Sequence, residues 1–143
     1  MDSEKGAKAM PHDYLVSELD RLTSTRSLRG GDAAIQWARI EMWGEDFLLT
    51  RQPLWPEGTL IYAHRPIAGD ARRVALMQAA LETNLGIVHP AGPTYSMESE
   101  TNQMVAVLRI SYEEAHAGDV LARMEGVARQ FGAWTAAGLL QAM

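Results

Sequence analysis

The chain contains no cysteine, which excludes both a disulfide framework and a metal site built on thiolates. No stretch approaches the ~20 consecutive apolar residues that span a bilayer, and the first ten residues lack the apolar core of a secretory signal peptide. Basic residues are fewer than acidic ones, 13 against 18, which gives a net charge of −5. That balance argues against nucleic acid as a partner. We therefore expect a cytoplasmic protein with no membrane insertion and no nucleic-acid partner.

Motifs of catalysis and cofactor binding are also missing. The four histidines are far apart, no pair has the i, i+4 spacing that sets two metal ligands on one helical face, and we expect them on the surface or in loops. No G-x-S-x-G, phosphate-loop or G-x-G-x-x-G motif occurs. Glu113 and Glu114 precede a predicted helix, where acidic side chains stabilise the first turn. We expect no enzyme activity, no catalytic residue, no metal and no cofactor.

The chain does contain enough apolar sequence for one core. Its 143 residues, 47% hydrophobic and 22% charged, have the size and composition of a single globular domain. Residues 1–11 are mostly small or charged and predict a disordered N-terminal tail. The single domain is then expected over residues 12–143.

Hydrophobic periodicity predicts the order of the elements. A first helix begins near Pro11, and a glycine-containing breaker segment follows over residues 23–32. The remaining elements are three strands (35–43, 47–51 and 60–64), a central helix (70–85), a hairpin (94–112) and a last helix (118–140). The order α-β-β-β-α-β-β-α predicts an α+β sandwich, in which helices flank an antiparallel sheet.

The first predicted strand has an irregular apolar pattern. Ile35 and Trp37 share one face, whereas Ile40 and Met42 share the other. This change of parity predicts either a β-bulge or a strand that is apolar on both faces.

The central helix is apolar on two sides. At ~100° per residue, one stripe consists of Val74, Met77, Leu81 and Leu85. A helix that flanks a sheet in a monomer needs only one buried stripe. The second stripe predicts a homodimer, in which one stripe contacts the chain's own sheet and the other contacts the partner. The expected interface residues, on the helix and on the hairpin, are Leu76, Ala79, Ala80, Thr83, Val105 and Val107.

The order and length of these elements resemble those of the class I type III secretion chaperones, the small acidic dimers that escort effector proteins to the bacterial injection apparatus. In that family a helix ends in a Leu-x-x-Asn-Leu-like segment, matched here by LETNL at residues 81–85. A polar-tipped hairpin follows, matched by residues 94–112, and then a closing helix with aromatic residues, matched by Phe131 and Trp134. The resemblance covers residues 12–140.

The resemblance implies a chaperone in the cytoplasm of a Gram-negative bacterium, with a secreted effector and a second copy of the chain as partners. It would hold the effector's N-terminal segment extended, soluble and ready for secretion, without using ATP. The surplus apolar surface of the first helix and early strands is the expected binding surface. Its expected residues are Leu15, Leu19, Leu22, Ile35, Trp37, Ile40 and Met42. The alternative interpretation of this surface is a small α+β domain that binds a metabolite or a transcriptional regulator.

Overall fold

The computed structural model describes residues 11–32, 34–87, 89–113 and 116–142. Of the predicted N-terminal tail, residues 1–10 lie outside the described residues, whereas Pro11 begins the first helix. The helices are α1 (Pro11–Thr23), α2 (Arg73–Gly86) and α3 (Ala117–Ala136), and a 3-10 turn (Asp70–Arg72) leads into α2. The strands are β1 (Leu28–Gly31), β2 (Gln36–Met42), β3 (Glu45–Gln52), β4 (Trp55–Pro66), β5 (Thr94–Glu98) and β6 (Gln103–Ser111).

The strands form one antiparallel sheet in the order β1-β2-β3-β4-β6-β5. The first four strands are neighbours in sequence and in space, and α2 intervenes before β5 and β6. β4 is 12 residues long and pairs with β6 from Gly58–Ser111 to Pro66–Gln103. This order makes β1 and β5 the two edges of the sheet.

The predicted α+β class, with an antiparallel sheet and flanking helices, is confirmed, and the structure adds one strand to it. β1 lies inside the segment 23–32 that was predicted to be a breaker. A Cβ atom at Gly30 would lie 2.4 Å from Cζ2 of Trp37, so the bare glycine makes room for the indole ring across the β1–β2 pair. The two adjacent glycines thus belong to a paired edge strand rather than to a loop.

β4 also begins earlier than predicted, at Trp55 rather than at residue 60. Pro56 and Gly58 favour a loop in isolation. Here Gly58 lies so close to β6 that a Cβ atom would come within 2.3 Å of the Ile110 carbonyl oxygen. The missing side chain therefore permits the close approach of two paired strands.

β2 contains no bulge, contrary to one of the two predicted alternatives. It pairs with β3 in unbroken register from Gln36–Arg51 to Met42–Glu45. Ala38, Ile40 and Met42 are buried on one face, and the half-buried Trp37 lies on the other. Ile35 precedes the strand, but Trp37 within it keeps the change of parity, because β2 carries apolar side chains on both faces.

α1 and α3 cover one face of the sheet. α1 buries Leu15, Val16 and Leu19 against β3, β4 and α3. α3 buries a stripe at intervals of three and four residues, the spacing of an amphipathic helix: Val120, Met124, Val127, Phe131 and Trp134. The ring of Tyr95 on β5 completes this core, with its centroid 5.0 Å from that of Trp134 and 6.1 Å from that of Phe131.

A buried ion pair joins the sheet to the end of the chain. Arg65 on β4 pairs with Glu45 on β3, and both side chains are more than nine-tenths buried. Arg65 Nη1 also donates to Thr135 Oγ1 on α3 at 2.8 Å and to the Gln141 carbonyl at 3.2 Å. Burial raises the pKa of Glu45, an effect that Arg65 opposes. One guanidinium thus connects two strands, a helix and the C-terminal segment.

Candidate interaction surfaces

Within the described ranges, no three His, Cys, Asp or Glu side chains come together as a potential metal site. In the same ranges no helix combines the length and apolarity needed to cross a membrane. The distinctive features are two groups of exposed apolar residues, a buried hydrogen-bonded chain and a basic cavity.

The first exposed group, which we call the edge group, lies around the end of α1, β1 and the start of β2. Its members are Leu22, Leu28, Ile35 and Trp37, of which the first three are 42–66% exposed and the last is half-buried. The second group, the α2 stripe, consists of Val74, Met77, Leu81 and Leu85, which are 47–85% exposed. Single exposed apolar residues are ordinary, whereas contiguous apolar surface marks interaction sites.

The two predicted stripes of α2 exist, but the stripe predicted at the dimer interface is the one that faces this chain's own core. Leu76 and Ala80, predicted at a dimer interface, are 0% and 4% exposed and belong to this chain's own core. Ala79 and Thr83 are half-buried beside them. Periodicity defines the two stripes but cannot tell which one faces the sheet, because that depends on side chains distant in sequence. Leu76 and Ala80 are therefore not available to a second copy, whereas the α2 stripe is exposed.

The predicted interface residues on β6 lie on the other side of the sheet. Val105 and Val107 are half-buried, whereas their neighbours Met104 and Ala106 point into the core. Val107 pairs with Tyr62 on β4 and Thr94 on β5, so its side chain is flanked by strands on both sides. A role for both valines between two copies stays a prediction.

The residues predicted to bind a partner separate into a buried and an accessible set. The buried set, each member at most 8% exposed, is Leu15, Leu19, Ile40 and Met42. These four belong to the hydrophobic core, so their assignment to a binding surface was wrong. Leu22, Ile35 and Trp37 remain accessible to a partner. Leu28, which is 66% exposed, was missed because it lay inside the predicted breaker.

β1 is an open edge of the sheet, and all four of its residues are exposed. The N–H of Asp32 donates to the carbonyl of Ile35 at 2.9 Å, closing the β1–β2 hairpin. Because hydrogen-bonded pairs alternate in antiparallel sheets, the main-chain groups of Arg29 and Gly31 then point away from β2. An edge of this kind is a template for another strand.

The opposite edge, β5, is partly covered by α2. The Asn84 side chain accepts a hydrogen bond from the Tyr95 N–H at 2.9 Å and donates one to the Tyr95 carbonyl at 2.8 Å. These are the main-chain groups of β5 that an added strand would need. The asparagine of the LETNL segment therefore holds α2 against β5 and blocks pairing there.

A buried hydrogen-bonded chain links α1 to the sheet. His12 Nδ1 lies 3.0 Å from Thr59 Oγ1, which lies 2.7 Å from the Tyr112 hydroxyl. His12 is 2% exposed, so its assignment to the surface or a loop was wrong. Burial lowers the pKa of His12 and raises that of Tyr112, so both are uncharged near neutral pH. Among the described residues, no carboxylate is hydrogen-bonded to the His12 imidazole, so these three side chains do not have the hydrogen bonds of a catalytic triad.

A cavity of about 250 Å³ lies between the loop before β5, the end of β6 and the start of α3. Its ionisable lining residues are Arg109, Arg123, His89, His116 and Asp119. Arg109 Nη1 reaches Thr94 Oγ1, and Arg123 Nη1 reaches the Gly92 carbonyl, each at 3.4 Å. Neither arginine forms an ion pair with a carboxylate of the described residues. Glu113 is exposed and is not among the lining residues, and Glu114 lies outside the described residues.

The fold is a six-stranded antiparallel sheet with helices packed against it, and it is found in a protein of known structure. No protein-family model and no curated protein matches the chain. A chain in the structure of the HopA1-SchA chaperone-effector complex matches it with a TM-score of 0.65 and 18% identity, over 87% of this chain and 93% of that chain. The resemblance to type III secretion chaperones inferred from the sequence is thus confirmed at the level of the fold.

Proposed function

We propose that this chain is a type III secretion chaperone of a Gram-negative bacterium. It works in the cytoplasm as a homodimer, and it keeps the N-terminal segment of one secreted effector extended, soluble and ready for secretion. The observation that carries this proposal is the fold shared with a chain of a chaperone-effector complex over 87% of the sequence. The two groups of exposed apolar residues support it, because a chaperone must present such surface to its client. Holding a client in this way requires no ATP.

The client segment docks on the edge group. Its backbone pairs with the outward main-chain groups of Arg29 and Gly31 on β1, which gives affinity with little demand on sequence. Its alternate side chains contact Leu28 and Trp37, which lie on the same face of the sheet because Leu28 pairs with Arg39 and Gly30 pairs with Trp37. Since the client becomes ordered on binding, a long wrapped interface is needed for useful affinity.

The second copy of the chain docks on the α2 stripe. A twofold axis places the same patch of each chain against its copy, so a stripe of four apolar side chains is self-complementary. The stripe faces away from this chain's core, and Asn84 holds the helix that carries it against β5. The client and the second copy thus use different surfaces.

The proposed function is tested by co-expression with the protein encoded beside this chain, since chaperones of this kind are often encoded next to their clients. We expect a stable complex on size-exclusion chromatography, and none when that protein lacks its N-terminal segment. Trp37→Asp should weaken the complex at least about thirtyfold, as expected for a central aromatic contact. Leu54→Asp is the matched control, because Leu54 is 95% exposed and lies outside the edge group.

Two results would count against this assignment. One is the absence of any complex with the neighbouring gene's product, or a complex that survives loss of the N-terminal segment. The other is equal client affinity of the Trp37→Asp variant and the wild type. Ile40→Asp is expected to unfold the chain, because Ile40 is 1% exposed in the core, and it therefore does not serve as a binding variant.

A further inference from the structure

We infer that the cavity beside the start of α3 binds a small oxyanion, a carboxylate or a phosphate group. Arg109 on β6 and Arg123 on α3 both line it, although they lie on different elements. A guanidinium carries five N–H donors in a planar fork that matches the oxygen atoms of a carboxylate or phosphate. Among the described residues, each of these two guanidinium groups has one hydrogen bond, at 3.4 Å, to a neutral oxygen.

Several arginines of the described residues form no ion pair, Arg26, Arg51, Arg72 and Arg73 among them, but only Arg109 and Arg123 line one common cavity. Five other arginines are paired with a carboxylate: Arg21, Arg29, Arg39, Arg65 and Arg129. The two cavity arginines have no such partner among the described residues, and the single acidic lining residue is Asp119. Two guanidinium groups against one carboxylate make the lining locally positive in a chain of net charge −5.

Further donors in the lining complement the two arginines. The N–H of Ala91 donates to His89 Nδ1 at 3.0 Å, so the ring proton is on Nε2, which is a donor. Ser111 adds a hydroxyl, and Trp55 supplies an apolar wall. A volume of about 250 Å³ admits a phosphate ion or the end of an acidic side chain. The cavity thus offers convergent donors and room for one anionic group.

The test is the thermal midpoint of the purified chain in sodium phosphate, and separately in sodium acetate, against sodium chloride at equal ionic strength and pH. A ligand that binds the native state raises this midpoint with increasing concentration. We expect a saturable rise beyond that in chloride. A rise in phosphate alone assigns the site to phosphate groups, and a rise in acetate alone assigns it to carboxylates.

Substitutions connect the response to this cavity. Arg109→Gln should raise the concentration for the half-maximal shift about tenfold, and Arg109→Gln with Arg123→Gln should raise it further, as expected for loss of hydrogen bonds to a charged group. Arg129→Gln, on the exposed side of α3, is the matched control and should respond like the wild type. Arg109 is exposed, so its single variant keeps the test valid if the double variant does not fold. The inference is overturned if neither ion exceeds chloride, or if the arginine variants respond like the wild type.

Discussion

α2 and α3 contribute to the same core in very different proportions. α3 buries five large side chains, and its opposite face carries small or charged residues such as Ala122, Gly126 and Arg129. α2 buries only Leu76 and Ala80 and exposes four large apolar residues, the α2 stripe. The apolar residues of α3 are explained by the fold of one chain, whereas most of those of α2 are not.

The apolar residues of a helix must therefore be compared with the part of the core that the helix covers in its own chain. A helix on the surface of a monomer has one apolar stripe and a polar face, and α3 fits that description. α2 has its larger apolar side chains outside, including Leu85 at 85% exposure. The proposed homodimer would account for this arrangement, because it would place α2 between the core of its own chain and a second copy.

The largest expected effect comes from removing a buried aromatic ring of α3. Phe131→Ala should lower the free energy of unfolding by about 3–5 kcal/mol, because it removes a fully buried ring and leaves a cavity. Arg129→Ala, on the exposed face, should change it by less than about 0.5 kcal/mol. Urea unfolding with unchanged m-values measures both. If Phe131→Ala lowered the free energy of unfolding by less than about 1 kcal/mol, Phe131 would not belong to the core.

A smaller effect is expected where α2 meets β5. Asn84→Ala removes both hydrogen bonds to the Tyr95 main chain and should lower the free energy of unfolding by about 1–3 kcal/mol. Hydrogen exchange should accelerate at Tyr95 and along α2 but not along α3. Gln78→Ala is the control on the same helix, because the exposed Gln78 contacts Glu82 at 3.4 Å. Unchanged protection of α2 in the Asn84 variant would contradict the anchoring role.

A fall in pH should lower the stability through His12 on α1, and neither α2 nor α3 carries this residue. Burial lowers the pKa of His12; Arg51 on β3 and Arg29 on β1 lower it further, and Asp13 opposes them. The unfolded chain therefore binds the proton more tightly. The stability contributed by His12 is present above the ordinary histidine pKa of about 6.5 and is lost as the pH falls below it.

Urea unfolding measured from about pH 7.5 to pH 5 tests this expectation. One histidine can change the free energy of unfolding by at most about 1.4 kcal/mol per pH unit, and this slope is compared between variants. His12→Gln keeps a partner for Thr59 and should remove most of the slope in this range. His64→Gln, which replaces an exposed histidine, should retain the wild-type slope. Equal slopes in the two variants would assign the acid sensitivity to other groups.

The parts of the fold that periodicity predicted are those with one buried face. The stripe of α3 and the inward face of β6, with Met104, Ala106, Leu108 and Ile110, lie in the last helix and the hairpin that the sequence predicted. In these elements burial on one side alone fixes the spacing of the apolar residues. The same holds for the order of helices and strands, apart from the glycine-containing β1.

The interaction surfaces were harder to predict because periodicity does not distinguish a core from a docking surface. Leu76 and Leu81 are equally apolar, and only the packing of α2 against the rest of the chain makes one buried and the other exposed. Ile40 was likewise assigned to a surface although it is buried in the core. The basic cavity draws its lining from segments distant in sequence, so no local motif marks Arg109 and Arg123 as neighbours.

Light scattering at micromolar concentration tests most directly whether the α2 stripe faces a second copy. The wild type should have twice the chain mass of 15.8 kDa. Leu81→Glu should shift it to the mass of one chain with its helical circular dichroism intact, because Leu81 is 60% exposed and lies outside the core. Leu54→Glu, which places the same charge on another exposed leucine, should remain dimeric. A monomeric wild type, or a Leu81→Glu variant that still dimerises, would contradict a dimer formed through the α2 stripe.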